Sequence, residues 1–250
     1  PPHQPVRPAL PTLLVLGSKP GPVLPPRAAI DAVACANASG HSARALGLPH
    51  PVFTVVTAVL TSGKPSDEHS LRRLAGLRTG RLWHIRRPKA DEGGPAARLV
   101  ALWKMRKMSV AELRRRLRAL DYRYEELVSR PARWYHERVL ELCGDDPEIA
   151  AAIARKQPST GLLAVVLGLI DGRWERIVMA GFDFTLEHAY GDNPLIAERG
   201  SKASAHAPTD VAILRRLAEL RRDLYTSEPV VQARTGVPLL PEVERPGVAA

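Results

Sequence analysis

Pro158-Ser159-Thr160-Gly161 stands directly before the apolar run Leu162 to Leu167. A turn of this composition opening a helix aims backbone N–H groups and two hydroxyls at one point, which is how a chain receives an anion. The next apolar run, Ile177 to Ala180, reads as a strand that returns beside the turn and ends at Gly181-Phe182. Two histidines follow, His188 and His206, and the second precedes a helix that begins at Pro208 with Asp210 in its first turn. A place just outside a helix N-terminus favours the neutral imidazole, which accepts a proton. Anion binding and proton transfer are the chemistry these residues offer together.

Such groups need a scaffold, and the rest of the chain supplies a repeated strand–helix code. Residues 12–17 read as a short buried strand that ends in the loop Gly17-Ser18-Lys19-Pro20-Gly21-Pro22. Strands over 32–37, 52–60 and 81–85 alternate with helical patterns over 39–46 and 66–77. From 96 to 155 the pattern is almost wholly helical, an insertion of the kind that forms a lid or an acceptor wall. The code then resumes with a helix over 159–170, a strand over 174–182, a long loop and a helix over 208–224. The expected fold is α/β: a Rossmann-like, mostly parallel sheet flanked by helices, with a helical insertion, in one domain over 12–235. A poorly ordered proline-rich lead, 1–11, and a tail, 236–250, flank it.

Composition bounds the function. With 250 residues, 45% hydrophobic and 25% charged, the chain supports one sizeable core. No apolar run approaches the ~18 residues of a membrane span and no signal core opens the sequence, so a cytoplasmic setting is expected. The net charge of +10 suits a nucleotide-activated substrate, an acidic membrane surface or nucleic acid, or else is a solvated basic face. Cys35 and Cys143 lie far apart and make no metal-ligand pair; they fit a reduced compartment or a single disulfide. Trp103, Tyr122, Tyr124, Trp134 and Tyr135 gather in the centre, either as a sugar-stacking surface or as core aromatics. No Asp-x-Asp pair follows a strand, so no metal is expected, and Asp145-Asp146 reads as a helix cap.

The ordered segments resemble the sialyl motifs of the animal-type sialyltransferases, glycosyltransferase family 29. Val15-Leu16-Gly17-Ser18 and the strand ending at Asn37 are similar to the large motif. Pro158-Ser159-Thr160-Gly161 with Ala180-Gly181-Phe182 is similar to the small one. His188-Ala189-Tyr190 resembles the short His-Tyr-Tyr motif, and His206 with Asp210 the last. The resemblance implies a metal-independent, inverting transfer of an acidic 2-keto-3-deoxy sugar, sialic acid or Kdo, from a CMP donor to a glycan or glycolipid acceptor. It implies donor contacts from Gly17, Ser18, Asn37, Ser159, Thr160 and Gly161. Gly181, Phe182 and Tyr190 are implied beside them, with His206 as base and His188 at the departing phosphate. No cofactor is implied, and basic helices leave room for peripheral membrane contact. Two positions depart from the pattern: Ser18 stands for an Asn, and Cys35 for an Arg.

Three rivals compete. A dinucleotide-dependent oxidoreductase lacks its Gly-x-Gly-x-x-Gly in the Gly17 loop. A nucleic-acid-binding module explains Arg114-Arg115-Arg116-Leu117-Arg118 but not the Ser-Thr-Gly turn, so no nucleic-acid partner is expected. A catalytically inactive relative that only binds a sugar nucleotide would keep the motifs without turnover.

Overall fold

The computed structural model describes residues 11–86, 106, 108–185 and 203–241. Strand β1 (Thr12–Leu16) and strand β2 (Ala32–Ala36) are apolar apart from Thr12 and buried at every position, because both lie inside a sheet covered on its two faces. Helix α1 (Ser39–Ala45) leads to β3 (Phe53–Thr57), a 3-10 turn (Ala58–Thr61) and α2 (Pro65–Arg72). Strand β4 (Arg78–Arg86) and helix α3 (Val110–Ala119) follow. Next come β5 (Arg123–Pro131), α4 (Ala132–Leu142) and α5 (Pro147–Arg155). The chain then forms α6 (Thr160–Asp171), β6 (Arg176–Ala180), α7 (Ala207–Leu220), β7 (Leu224–Thr226) and α8 (Pro229–Thr235).

The seven strands among the described residues form one parallel sheet in the order β5-β4-β3-β2-β1-β6-β7. The α/β Rossmann-like fold expected from sequence is the fold observed. Chain order reverses between β1 and β6, the topological switch point beside which sheets of this class take ligands at the carboxyl ends of their strands. Helix α6 is buried along most of its length against this centre, in one apolar cluster with Leu13, Val15, Ile177 and Tyr135. Its Gly168 fits the sheet closely: a Cβ there would lie 2.9 Å from Leu13 Cδ2. The opposite face carries α1, α2 and α3, through residues such as Leu71, Leu113 and Leu117.

The segment read as an almost wholly helical insertion contains β5, a nine-residue strand with eight residues paired to β4, and so is corrected in part. The physical reason is position. As an edge strand β5 leaves Arg123, Glu125, Glu126 and Arg130 exposed, so it lacks the apolar run that marks a buried parallel strand. At the far edge, the helix expected to reach 224 stops at Leu220, and β7 and α8 follow. Three residues of strand are too short to leave a pattern. The outer side of β7 is met by the chain itself, through a parallel bridge from Thr226 to Leu239. Asp146 caps α5 as expected, accepting from the amides of Glu148 (2.8 Å) and Ile149 (3.4 Å). No helix among the described residues is long and apolar enough to cross a membrane.

Candidate active site

The carboxyl ends of β1 and β6 are level, with Leu16 opposite Ala180, so Gly17 and Gly181 meet at the switch point. Gly17 N donates to Ala180 O (2.8 Å) and Lys19 N to Gly181 O (3.0 Å). A Cβ on Gly17 would sit 2.2 Å from Gly181 O, and Gly181 has φ +74°, so only glycine allows this approach. A cleft of about 540 Å³ opens above the seam. Gly17, Ser18 and Asn37 line its floor; Asn37 takes a left-handed backbone (φ 49°), which asparagine tolerates better than most residues. Its amide donates to Val55 O (2.7 Å), and its Oδ1 accepts from Thr57 N (3.4 Å).

The second wall is the start of α6. Ser159 is the cap: its Oγ accepts from Leu162 N at 3.2 Å. Its own amide donates to Asp210 Oδ1 at 2.9 Å. Ser159 is therefore committed to shaping the turn. The amides of Thr160 and Gly161 take no acceptor among the described residues and stand at the positive end of the helix. Gly161 also makes room for Phe182, whose Cε1 would lie 2.9 Å from an added Cβ.

His206 faces the same cleft from the start of α7. Its Nδ1 is 2.7 Å from Gln157 O. A carbonyl only accepts, so Nδ1 carries the proton and Nε2 of the neutral ring is left with its lone pair. Asp210 does not orient the imidazole; it buries its carboxyl behind the Ser159 turn. Burial pushes that carboxyl up to about 6, against the opposing pull of hydrogen bonds from Ser159 and the nearby His206.

The structure thus gathers Gly17, Ser18, Asn37, Ser159, Thr160, Gly161, Gly181, Phe182 and His206 at one cleft. His188 and Tyr190 lie outside the described residues. Cys35 is buried within β2 and its thiol is pushed up to about 12 by burial, so it offers the cleft no charge where the motif has Arg. Tyr122, Tyr124, Trp134 and Tyr135 do not line the cleft: Trp134 stacks on Trp83 (5.7 Å, 15°) and meets Tyr135 edge-on. Of the two readings of the aromatics, these four take the packing one.

Sequence reasoning missed Glu228. It is fully buried at the cap of α8, and its Oε1 accepts from Gly181 N (2.8 Å) and Val23 N (3.1 Å). Its Oε2 accepts from Lys19 Nζ (2.8 Å). One carboxylate thereby clamps both sides of the glycine seam, 209 residues from Lys19 and 47 from Gly181 in sequence, and no local pattern announces it. His136 and Arg86 line the outer cleft as well, and burial lowers the His136 pKa.

No family model matches the chain, and no curated protein does. Solved structures do. A tyrosine-to-phenylalanine variant of the sialyltransferase CST-II in complex with CMP superposes with a TM-score of 0.54 at 10% identity, over 96% of this chain and 89% of that one. An asparagine-to-alanine variant with CMP gives 0.54 at 9% identity, over 95% and 89%. CstII from Campylobacter jejuni in complex with the substrate analogue CMP-3FNeuAc gives 0.48 at 9%, over 96% and 89%.

The chain has a sialyltransferase-like fold. The neighbours do not carry the animal-type family itself, so that part of the resemblance is narrowed to the fold.

Proposed function

We propose that this chain is a glycosyltransferase moving an acidic 2-keto-3-deoxy sugar, sialic acid or Kdo, from its CMP-activated form to a glycan or glycolipid hydroxyl. The observation that carries the reading is His206, held at Nδ1 by Gln157 O (2.7 Å), across the same cleft as the open amides of Thr160 and Gly161. A fold shared with structures that hold CMP supports it.

In this reading the donor phosphate rests on the Thr160 and Gly161 amides, and the nucleotide extends over the glycine seam past Ser18 and Asn37. The acceptor oxygen attacks the anomeric carbon while the bond from that carbon to the phosphate oxygen breaks. The hydroxyl proton passes to His206 Nε2, and CMP departs with the bonding electrons. One displacement inverts the centre. Negative charge grows on the phosphate as the bond lengthens, where helix-start amides and the α6 dipole stabilise it without a metal. His188, at the leaving phosphate, and Tyr190 enter on the sequence resemblance alone.

His206→Ala is expected to lower transfer by about 10²–10⁴-fold, the usual worth of a positioned base. Calorimetric affinity for CMP should stay within about twofold, since the ring is assigned to the acceptor side; a shift of that size is under about 0.5 kcal/mol. Unchanged turnover removes the base assignment. A protein that binds CMP with or without chelator but turns over no CMP-sugar is the inactive relative instead.

A further inference from the structure

A second, smaller cleft of about 360 Å³ lies on the sheet face that carries α1 and α3, toward the amino ends of β3, β4 and β5. One bank is the end of α1, with Ala43, Arg44 and Gly47, followed by His50. The other is formed by Leu74, Leu77 and Arg78 together with Tyr122 and Arg123. The banks are tied to each other by Pro51, whose carbonyl accepts from Gly80 N (3.0 Å) and Thr79 Oγ1 (3.1 Å). Thr54 Oγ1 donates to Thr79 Oγ1 (3.1 Å), and the Tyr122 hydroxyl joins the same pair. The hydroxyls of Thr54 and Tyr122, both in the lining, are therefore bonded to the buried Thr79 behind it.

Charge on the rim is one-sided. Asp121 takes Arg123 in a two-point pair (3.2 Å at each contact), which spends the one carboxylate in the lining. Arg44 and Arg78 are exposed and have no acidic partner among the described residues. Arg27 adds a third guanidinium: its Nη1 would be 3.3 Å from a Cβ on Gly47. Gly47 (φ +66°) and Gly76 (φ +65°) leave backbone bare on both banks, with nothing within 4 Å of a Cβ on Gly76. Arg44 and Arg78 line opposite banks of a partly apolar slot, and guanidinium forks are the groups that bind phosphate oxygens in bidentate fashion.

We propose that this cleft is a second anion site, taking a phosphate-bearing small molecule between Arg44 and Arg78, separate from the donor cleft. The two openings share one lining residue, Asn37, and no other. The site stands or falls independently of the glycosyltransferase reading, since none of its cationic groups borders the donor cleft.

The test is calorimetric titration with inorganic pyrophosphate of three folded proteins: wild type, the Arg44→Gln/Arg78→Gln pair, and an Arg114→Gln/Arg118→Gln pair. The last pair removes the same charge from the exposed face of α3. The cleft pair is expected to weaken the tight phase by about tenfold or more, as lost charge-assisted bonds require, and the α3 pair by less than about twofold. Equal loss in both pairs, or no binding by wild type, overturns the site. A further arm identifies the source: glycerol 3-phosphate binding in solution marks a free phosphate ester. Retention on phosphatidylcholine vesicles only when they carry phosphatidic acid marks a lipid headgroup. Failure of both overturns the phosphate assignment.

Discussion

The two walls of the main cleft are built from different materials. At the β1–β6 seam, backbone lies on backbone: Gly17 and Gly181 approach so closely that one methyl group has no place, and buried Glu228 locks them. At the starts of α6 and α7, side chains do the positioning, through Ser159, Asp210 and His206. The first wall fails by added volume or a missing clamp, and the second by a proton. A site of this kind keeps its shape in the rigid half and its chemistry in the titratable half.

Glu228→Ala should break the comparison hardest. It leaves the buried Gly181 amide and the Val23 amide without their acceptor and the part-exposed Lys19 ammonium unpaired, at about 3 kcal/mol, the upper end for unsatisfied donors. Urea unfolding reads the loss, and Glu228→Gln, which keeps an acceptor for Gly181, should recover part of it. Gly17→Ala comes next, at about 1–3 kcal/mol, since its methyl meets a backbone oxygen that cannot swing away. A wild-type unfolding midpoint in this variant would show that the seam yields.

The smallest effect belongs to the titratable wall. Asp210 sits near 6 in the folded protein against an ordinary value of 3.8, so the folded state binds more protons between those values. Its share of stability is complete below about pH 4 and is lost as pH rises through about 6, at no more than about 1.4 kcal/mol per unit. Asp210→Asn keeps an oxygen for the Ser159 amide and should flatten that slope. An unchanged slope from pH 4 to 6 places the titration elsewhere.

How much of this was legible in the sequence follows from where each interaction lies along the chain. The Ser159 cap, the apolar α6 and the β6 end at Gly181 are local, so residue type and spacing expose them. Asn37 and His206 were legible as motif members, and the fold brings them to the same opening. Asp210 was legible as an acid one turn into α7, but not as the acceptor for an amide 51 residues earlier. Ser159 reads from sequence as a phosphate ligand, whereas its polar groups are consumed inside the protein. Strand β5 escaped because an edge position lets charge replace the apolar signal, and Glu228 because its three donors come from loops remote in the chain.

The treatment of the sheet margins has a consequence for behaviour in concentrated solution. An open parallel sheet offers raw hydrogen-bonding groups at both flanks, an invitation for neighbouring molecules to stack strand upon strand. Here one flank is occupied by the chain's own segment at Leu239, and the other bristles with arginine and glutamate. Among the described residues, strand-on-strand pairing with a neighbouring molecule is thereby disfavoured at both flanks.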